Sequence, residues 1–272
     1  TITMNFKKTY HPTSGLTMLC EKGKCSLNKL EFGILELKAG ESYTYNGGEN
    51  ETAMIILSGR ATFAFGGTVW ENVGVRRSVF EGKACSVYFP RRLTVTVSTD
   101  WSVKMAVCRT AIDEDTQPQL LGQDTVKAVL LGVKPWERET HFNIDGRCNA
   151  RHLTIGEAWI TPGNWAGFPP HKHDTDNMPA EGILDEVYYF LFDPAQGFGI
   201  QRTYSKGEFD EAYVVKTDDL VEFPRGYHTT VGAPGYNTYF LWAMAGEHQG
   251  FFRSNDPDHA WVAAVENMVK KL

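Results

Sequence analysis

Three separated stretches decide the fold: Pro169-Pro170-His171-Lys172-His173, then Glu186-Val187-Tyr188-Tyr189-Phe190, then Pro224-Arg225-Gly226-Tyr227-His228. In a β-strand, residues i and i+2 point to one face, so His171 and His173 would enter the same interior while Lys172 points away. The two prolines ahead of them favour an extended entry. Glu186 opens a run of β-branched and aromatic residues. As a hairpin partner of the His-x-His strand, that run would set its carboxylate beside the two imidazoles. The Pro-Arg-Gly-Tyr-His turn delivers one more histidine at the start of a strand. Each piece is a strand or turn device, so the surrounding chain should be sheet.

The rest of the sequence agrees. Short runs rich in Val, Ile, Thr, Tyr and Phe recur between glycines and prolines, as at Met54–Leu57, Ala61–Phe65, Leu93–Val97, Val103–Val107, Glu186–Phe192 and Tyr239–Met244. Closely spaced β-type runs with turn signals indicate an all-β sandwich or barrel. Helical periodicity is confined to Val126–Leu131 and to Ala260–Leu272, where Trp261, Val262, Val265 and Met268 would share one face.

The chain also repeats itself. Phe89-Pro90-Arg91-Arg92-Leu93-Thr94-Val95 matches Phe223-Pro224-Arg225-Gly226-Tyr227-His228-Thr229, and Leu37-Lys38-Ala39-Gly40 matches Ile160-Thr161-Pro162-Gly163. Tyr43-Thr44-Tyr45 falls where His171-Lys172-His173 falls, and Glu51 where Glu186 falls. Four matches in one order predict two similar barrels, residues 1–110 and 150–272, joined by a connecting segment, residues 111–149. In the first barrel the three histidine positions read Tyr43, Tyr45 and Thr94, leaving only Glu51, so its metal site is degenerate.

Three neutral imidazoles and one carboxylate suit a divalent first-row ion, zinc foremost, with manganese or iron as alternatives. A lone His-x-His in a strand is more often a surface or core pair. The Glu on the next strand and the Pro-x-Gly-x-His turn shift the balance toward a metal site of His171, His173, Glu186 and His228. Four protein ligands leave open coordination positions, which a catalytic metal requires. His11, His141, His152, His248 and His259 read as structural or surface residues.

Composition sets the outer limits. The chain has 272 residues, 42% of them hydrophobic and 22% charged, the profile of a globular protein. A net charge of -6 argues against nucleic acid and anionic membrane as partners. An anionic substrate would therefore need local arginine or lysine in its pocket. No run approaches the roughly 18 apolar residues of a membrane span, and the first residues are polar rather than signal-like. The five cysteines, Cys20, Cys25, Cys85, Cys108 and Cys148, match no zinc framework. They read as reduced thiols, which places the protein in the cytoplasm.

Both halves resemble the cupin superfamily, whose motifs are His-x-His followed by Glu, then Pro-x-Gly-x-x-His. The gap between His173 and Glu186 is longer than the superfamily's usual one: the 12 residues 174–185. Together with Pro162-Gly163-Asn164-Trp165, Gln196-Gly197-Phe198-Gly199-Ile200-Gln201-Arg202, Ala233-Pro234-Gly235-Tyr236 and Asp256-Pro257-Asp258-His259-Ala260-Trp261, it resembles the 5-deoxy-glucuronate isomerases of inositol catabolism. The resemblance is dense over 150–262 and architectural over 1–110. It implies an all-β double cupin and an aldose–ketose isomerisation of a small uronate, 5-deoxy-D-glucuronate, to 5-dehydro-2-deoxy-D-gluconate. It also implies association through barrel faces into a homo-oligomer. Tyr188 shares strand parity with Glu186 and would face the same cavity, either to relay a proton or as a core tyrosine. Arg202 is the first candidate for the substrate carboxylate and Arg225 the second. Competing readings are a 4-deoxy-5-keto-uronate isomerase of pectin breakdown, an iron cupin dioxygenase and a non-catalytic sugar-binding cupin.

Overall fold

The computed structural model describes residues 4–272. Two β-sandwich barrels pack back to back. In the first, a six-stranded sheet runs Gln119–Leu121, Ser86–Phe89, Asn50–Gly59, Ser102–Ala111, Glu31–Lys38, Gly15–Cys20. It faces a four-stranded sheet of Ser42–Asn46, Thr94–Ser98, Ala61–Phe65 and Thr68–Val73. In the second, a seven-stranded sheet runs Lys7–Thr9, Asp219–Phe223, Leu184–Asp193, Asn237–Gly246, Leu153–Ile160, Arg138–Ile144, Lys127–Leu131. It faces a five-stranded sheet of Phe209–Lys216, Phe198–Ser205, Tyr227–Gly232, Trp165–Lys172 and Ser254–Asn255.

Side-chain alternation distributes three cores. Met54 and Ile56 point into the first barrel with Phe63, Phe89 and Met105. Tyr188, Phe190 and Phe192 point into the second with Phe240 and Trp242. The intervening residues, Ala53, Ile55 and Leu57 on one strand and Val187 and Tyr189 on the other, meet in a third cluster between the two large sheets. A strand apolar on both faces is what burial on both sides demands, since each parity must find its own apolar partner. The same interface holds one buried ion pair: Arg76 Nη2 lies 2.5 Å from Glu157 Oε2, and Glu157 also accepts from Tyr239 and Asn143.

Several expectations are corrected here. Residues 7–9 were assigned to the first barrel, yet they pair antiparallel with Asp219–Phe223 of the second. The segment 111–149 is more than a connector. Gln119–Leu121 extends the first barrel's sheet, while Lys127–Leu131 and Arg138–Ile144 extend the second's. Val126–Leu131 is therefore strand rather than helix, because the ladder with Arg138–Ile144 overrides a weak local helical period. The C-terminal helix is present as Trp261–Val269, but of its expected apolar face only Val262 is buried, and Trp261 is 65% exposed. Cys20 and Cys25 are joined in a disulfide across the turn that follows Gly15–Cys20, leaving Cys85, Cys108 and Cys148 free. No helix among the described residues is long and apolar enough to cross a membrane.

The internal repeat needs one refinement. Glu186 pairs with Phe223, whereas the residue that pairs with the matching Phe89 is Thr52, not Glu51. A one-residue slip reverses the face. Glu51 accordingly points away from its barrel, toward the other one. Its carboxylate accepts from the backbone N–H groups of Arg151, His152 and Leu153 and from the Tyr88 hydroxyl. Thr52 points inward and bonds Tyr45 across 2.7 Å. Thr94, expected at the His228 position, is exposed.

Candidate metal centre

The strand Trp165–Lys172 runs antiparallel to Tyr227–Gly232, with His171 directly opposite His228. Beyond Lys172 the chain leaves the sheet for the excursion 174–185. The excursion is closed at its base: the Leu184 N–H donates to the His173 carbonyl, and His173 Nδ1 donates to the Leu184 carbonyl at 2.7 Å. Because the loop returns to its starting point, its length does not disturb register. Glu186 emerges two residues later on the same face as His173. The loop has its own anchor in the buried Glu181, which accepts from the backbone N–H groups of Asp174 and Thr175 and from Lys172 Nζ. Lys172 thus points away from the interior, as its parity requires. The turn before His228 depends on Gly226, whose φ is 81°. A Cβ there would collide with the Tyr204 carbonyl oxygen. Gly226 N–H donates to Asp174, which ties this turn to the excursion.

One ligand atom each from His173, Glu186 and His228 lies within 4.8 Å of the others, and all three residues are buried. His173 Nε2 is 2.7 Å from Glu186 Oε2, and His228 Nε2 is 3.1 Å from the same oxygen. His171 stands next to them, its ring 4.6 Å from that of His228. With Nδ1–H committed to the Leu184 carbonyl, the neutral His173 ring turns an Nε2 lone pair toward a carboxylate oxygen. Two facing lone pairs require a cation between them, a proton or a metal ion. The direction from His228 Nε2 to Glu186 departs from hydrogen-bond geometry, and both nitrogens of this buried ring are without a hydrogen-bond partner. Buried polar atoms are rarely left so unless a ligand satisfies them.

The electrostatics agree. Burial disfavours the Glu186 carboxylate, but His173 and His228 outweigh it and hold its pKa down to about 2. Burial lowers the pKa of both His171 and His228, keeping two imidazoles neutral at ordinary pH. At His173 burial opposes charge, and the hydrogen bond to Glu186 prevails and raises the pKa. Neutral imidazoles beside an ionised carboxylate are the donor set a divalent ion takes, so the residues present fit such an ion.

The cluster lies on the wall of a narrow pocket that is partly open to solvent. Tyr188 lines it, as strand parity anticipated, stacked on Phe240 at 4.2 Å and edge-on to His228. Burial and then Glu186 push its pKa well above the phenol range, so it remains protonated. The expectation for Arg202 is corrected. Gln201 and Thr203 point inward and are fully buried, which sends Arg202 to the outer face. There it forms a two-pronged ion pair with Asp210, both bonds at 2.8 Å. Arg225 is also outside, held by Glu208 at 2.8 Å. Two cavity residues were missed: Arg138 and Arg253. Arg138 lies in the strand taken for a connector, where Arg138, Thr140 and Phe142 alternate with residues of the sheet's opposite face. Arg253 precedes the two-residue strand beside His171 and carries no motif.

Comparison with known proteins gives the family of the chain. The KduI/IolB family matches residues 7–262. The chain is 36% identical over 234 residues to the 5-deoxy-glucuronate isomerase of Geobacillus kaustophilus, covering 85% of this chain and 84% of that protein. It is 35% identical over 240 residues to the enzyme of the same name from Bacillus subtilis strain 168, covering 87% and 88%. An IolB-like protein from Salmonella typhimurium LT2 superposes with a TM-score of 0.91 at 29% identity, over 96% of this chain and 100% of that one. Lactobacillus farciminis oxalate decarboxylase, at 10% identity and a TM-score of 0.69 over 100% and 94%, shares the double-cupin fold. With a family match over nearly its whole length, and relatives above 30% identity along most of it, the chain belongs to the KduI/IolB family.

Proposed function

We propose that this chain is a metal-dependent aldose–ketose isomerase of inositol catabolism, converting 5-deoxy-D-glucuronate to 5-dehydro-2-deoxy-D-gluconate in the cytoplasm. The observation that carries the reading is the buried cluster of His173, Glu186 and His228, with His171 beside it, on the wall of a cavity it shares with Tyr188. The names of the relatives supply the substrate. His171, His173, Glu186 and His228 would hold a divalent ion, zinc by preference, with manganese or iron as alternatives. When bound, it would act as a Lewis acid toward the carbonyl and neighbouring hydroxyl oxygens of the substrate.

The reaction moves one proton from C2 to C1 and a second from the C2 hydroxyl to the C1 oxygen, so the aldehyde becomes a primary alcohol as C2 becomes a ketone. The chain's own residues divide the work. The cavity walls, Phe240 and Trp242 among them, exclude water from the reacting carbons. Tyr188, protonated by virtue of its burial, serves as a hydrogen-bond donor to a developing oxyanion and not as the base. Leu184 fixes His173 through its carbonyl, so the ring offers Nε2 in one orientation.

The test is elemental analysis of the purified protein together with anaerobic turnover of 5-deoxy-D-glucuronate in D₂O, followed by NMR. The expected result is one divalent ion per chain and ketone formation without oxygen. A strict iron requirement with stoichiometric oxygen uptake would replace the isomerase by a dioxygenase, which uses the same ligand types.

A further inference from the structure

Ten of the chain's twelve arginines have a carboxylate within 4.0 Å: Arg60, Arg76, Arg77, Arg91, Arg92, Arg109, Arg147, Arg151, Arg202 and Arg225. The two without one among the described residues are Arg138 and Arg253, and both line the cavity of the His–Glu cluster. Arg138 is only 7% exposed. It spends one donor, Nη1, on the Trp136 carbonyl at 3.1 Å. Arg253 lies over the Phe251 ring at 4.8 Å. A buried guanidinium without a counter-charge is costly, and proteins normally supply a partner, as Glu157 does for the buried Arg76. Here Arg138 and the half-buried Arg253 face one cavity. Burial and then Arg253 lower Arg138 to about 10, which still leaves it charged at neutral pH.

From this geometry we infer that Arg138 and Arg253 form a carboxylate-binding subsite, which fixes an open-chain sugar acid with its acid end on the two guanidiniums and its carbonyl end toward Tyr188 and the His–Glu cluster. The inference rests on the isomerase reading only for the orientation of the chain, not for the anion site itself. A guanidinium offers two parallel N–H donors to a planar carboxylate, a match lysine cannot reproduce. The missing counter-charge is then the substrate's own, so the subsite would discriminate against neutral sugars of equal length: binding those leaves both cations unpaired. The subsite also explains how a protein of net charge -6 accepts an anion, because the ten other arginines are already neutralised by its own carboxylates.

The test separates the subsite from the chemistry by using unreactive probes. Purified Arg253→Met, Arg253→Lys and Arg138→Met variants are titrated calorimetrically with D-gluconate and with D-glucitol, the same carbon chain lacking the carboxylate. The unmodified protein should bind gluconate more tightly than glucitol. Each Met variant should lose roughly ten- to a hundredfold in gluconate affinity, while glucitol binding stays put. Arg253→Lys should recover part of the loss. Thermal unfolding gives an independent readout: Arg253→Met removes a cation with no carboxylate within 4.0 Å and should raise Tm, whereas a merely structural arginine would lower it. Gluconate affinity unchanged in both Met variants, or no preference for gluconate in the unmodified protein, overturns the subsite. Selective gluconate binding through these arginines without turnover of 5-deoxy-D-glucuronate would leave the subsite standing and remove the isomerase.

Discussion

The two barrels share a frame and differ in what they put inside it. The first fills its interior with Tyr45, Phe63, Phe89, Val95, Val97 and Met105, and Tyr45 bonds Thr52 there. The second places three histidines, a glutamate and two arginines around a cavity at the corresponding position between its sheets. The contrast separates two uses of a buried position. Packing in the first barrel contributes stability directly, since burying an aliphatic or aromatic side chain is worth about 1.5–3 kcal/mol. The polar interior of the second costs stability until a ligand compensates it. One barrel therefore stiffens the molecule while the other carries a site that the fold alone would not favour. The two glutamates draw the line most sharply. Glu186 faces into its barrel among histidines, and Glu51, one register step away from the matching position, faces out and caps the backbone of Arg151–Leu153.

The largest expected effect comes from removing ligands in the second barrel. If the proposed ligand set holds, the double variant His171→Ala/His228→Ala should bind a divalent ion more than a hundredfold more weakly than the parent, because loss of ligands exceeds the 10- to 100-fold typical of losing their outer supports. Isomerase turnover should fall to background. Its metal-free stability should hold or rise, since the buried His228 nitrogens without hydrogen-bond partners are removed. Elemental analysis and urea unfolding of the same preparation check both statements. Full metal occupancy in the double variant would break the assignment and with it the contrast between the barrels.

Much of this difference was legible in the sequence. The His-Lys-His stretch, Glu186 and the turn before His228 are read by local rules: strand parity, a hairpin, a glycine-dependent turn. The 12-residue excursion did not obscure them, because Leu184 returns to His173 and restores the register. What escaped depends on pairing between distant strands. Arg138 reaches the cavity because Arg138–Ile144 lies beside Leu153–Ile160, and Arg253 because Ser254–Asn255 adds to His171 and Lys172. Neither pairing leaves a local pattern. Arg202 was misplaced because the parity of its strand has no inward motif to fix it, and the buried Gln201 takes the inner face. Glu51 was matched to Glu186 by residue type, although the ladder aligns Thr52 with it. Only the pairing partner distinguishes those two readings.

Glu51→Gln sharpens the comparison at intermediate magnitude. The glutamate accepts three backbone N–H bonds and one from Tyr88, and it is fully buried. An amide nitrogen in place of one oxygen would face donors with a donor. The loss should be about 1.5–3 kcal/mol, the range for hydrogen bonds to a charged group. Unfolding should shift while metal content and turnover remain those of the parent. Metal loss in this variant would mean that Glu51 supports the second barrel's site and not only the junction.

The smallest effect concerns Tyr45 and Thr52, which occupy the first barrel's interior where the second has its cluster. Their hydroxyls bond each other at 2.7 Å, and both residues are buried. Tyr45→Phe should cost about 1 kcal/mol, because it strands the Thr52 hydroxyl. Thr52→Val should cost a similar amount by stranding the tyrosine. The double variant should cost less than the sum, since removing both partners leaves no buried polar group unsatisfied. Urea unfolding of the four proteins measures that coupling, and metal content should be identical in all of them. Additive costs would mean that the hydroxyls do not depend on one another and that packing alone fills this barrel. A change in metal content would be more serious, because it would give the first barrel a part in the site. The coupling expected here is that of core hydroxyls bonded to each other, whereas the His–Glu cluster of the second barrel leaves His228 open to a ligand. Pairing on one side and openness on the other is the physical form of the division between the barrels.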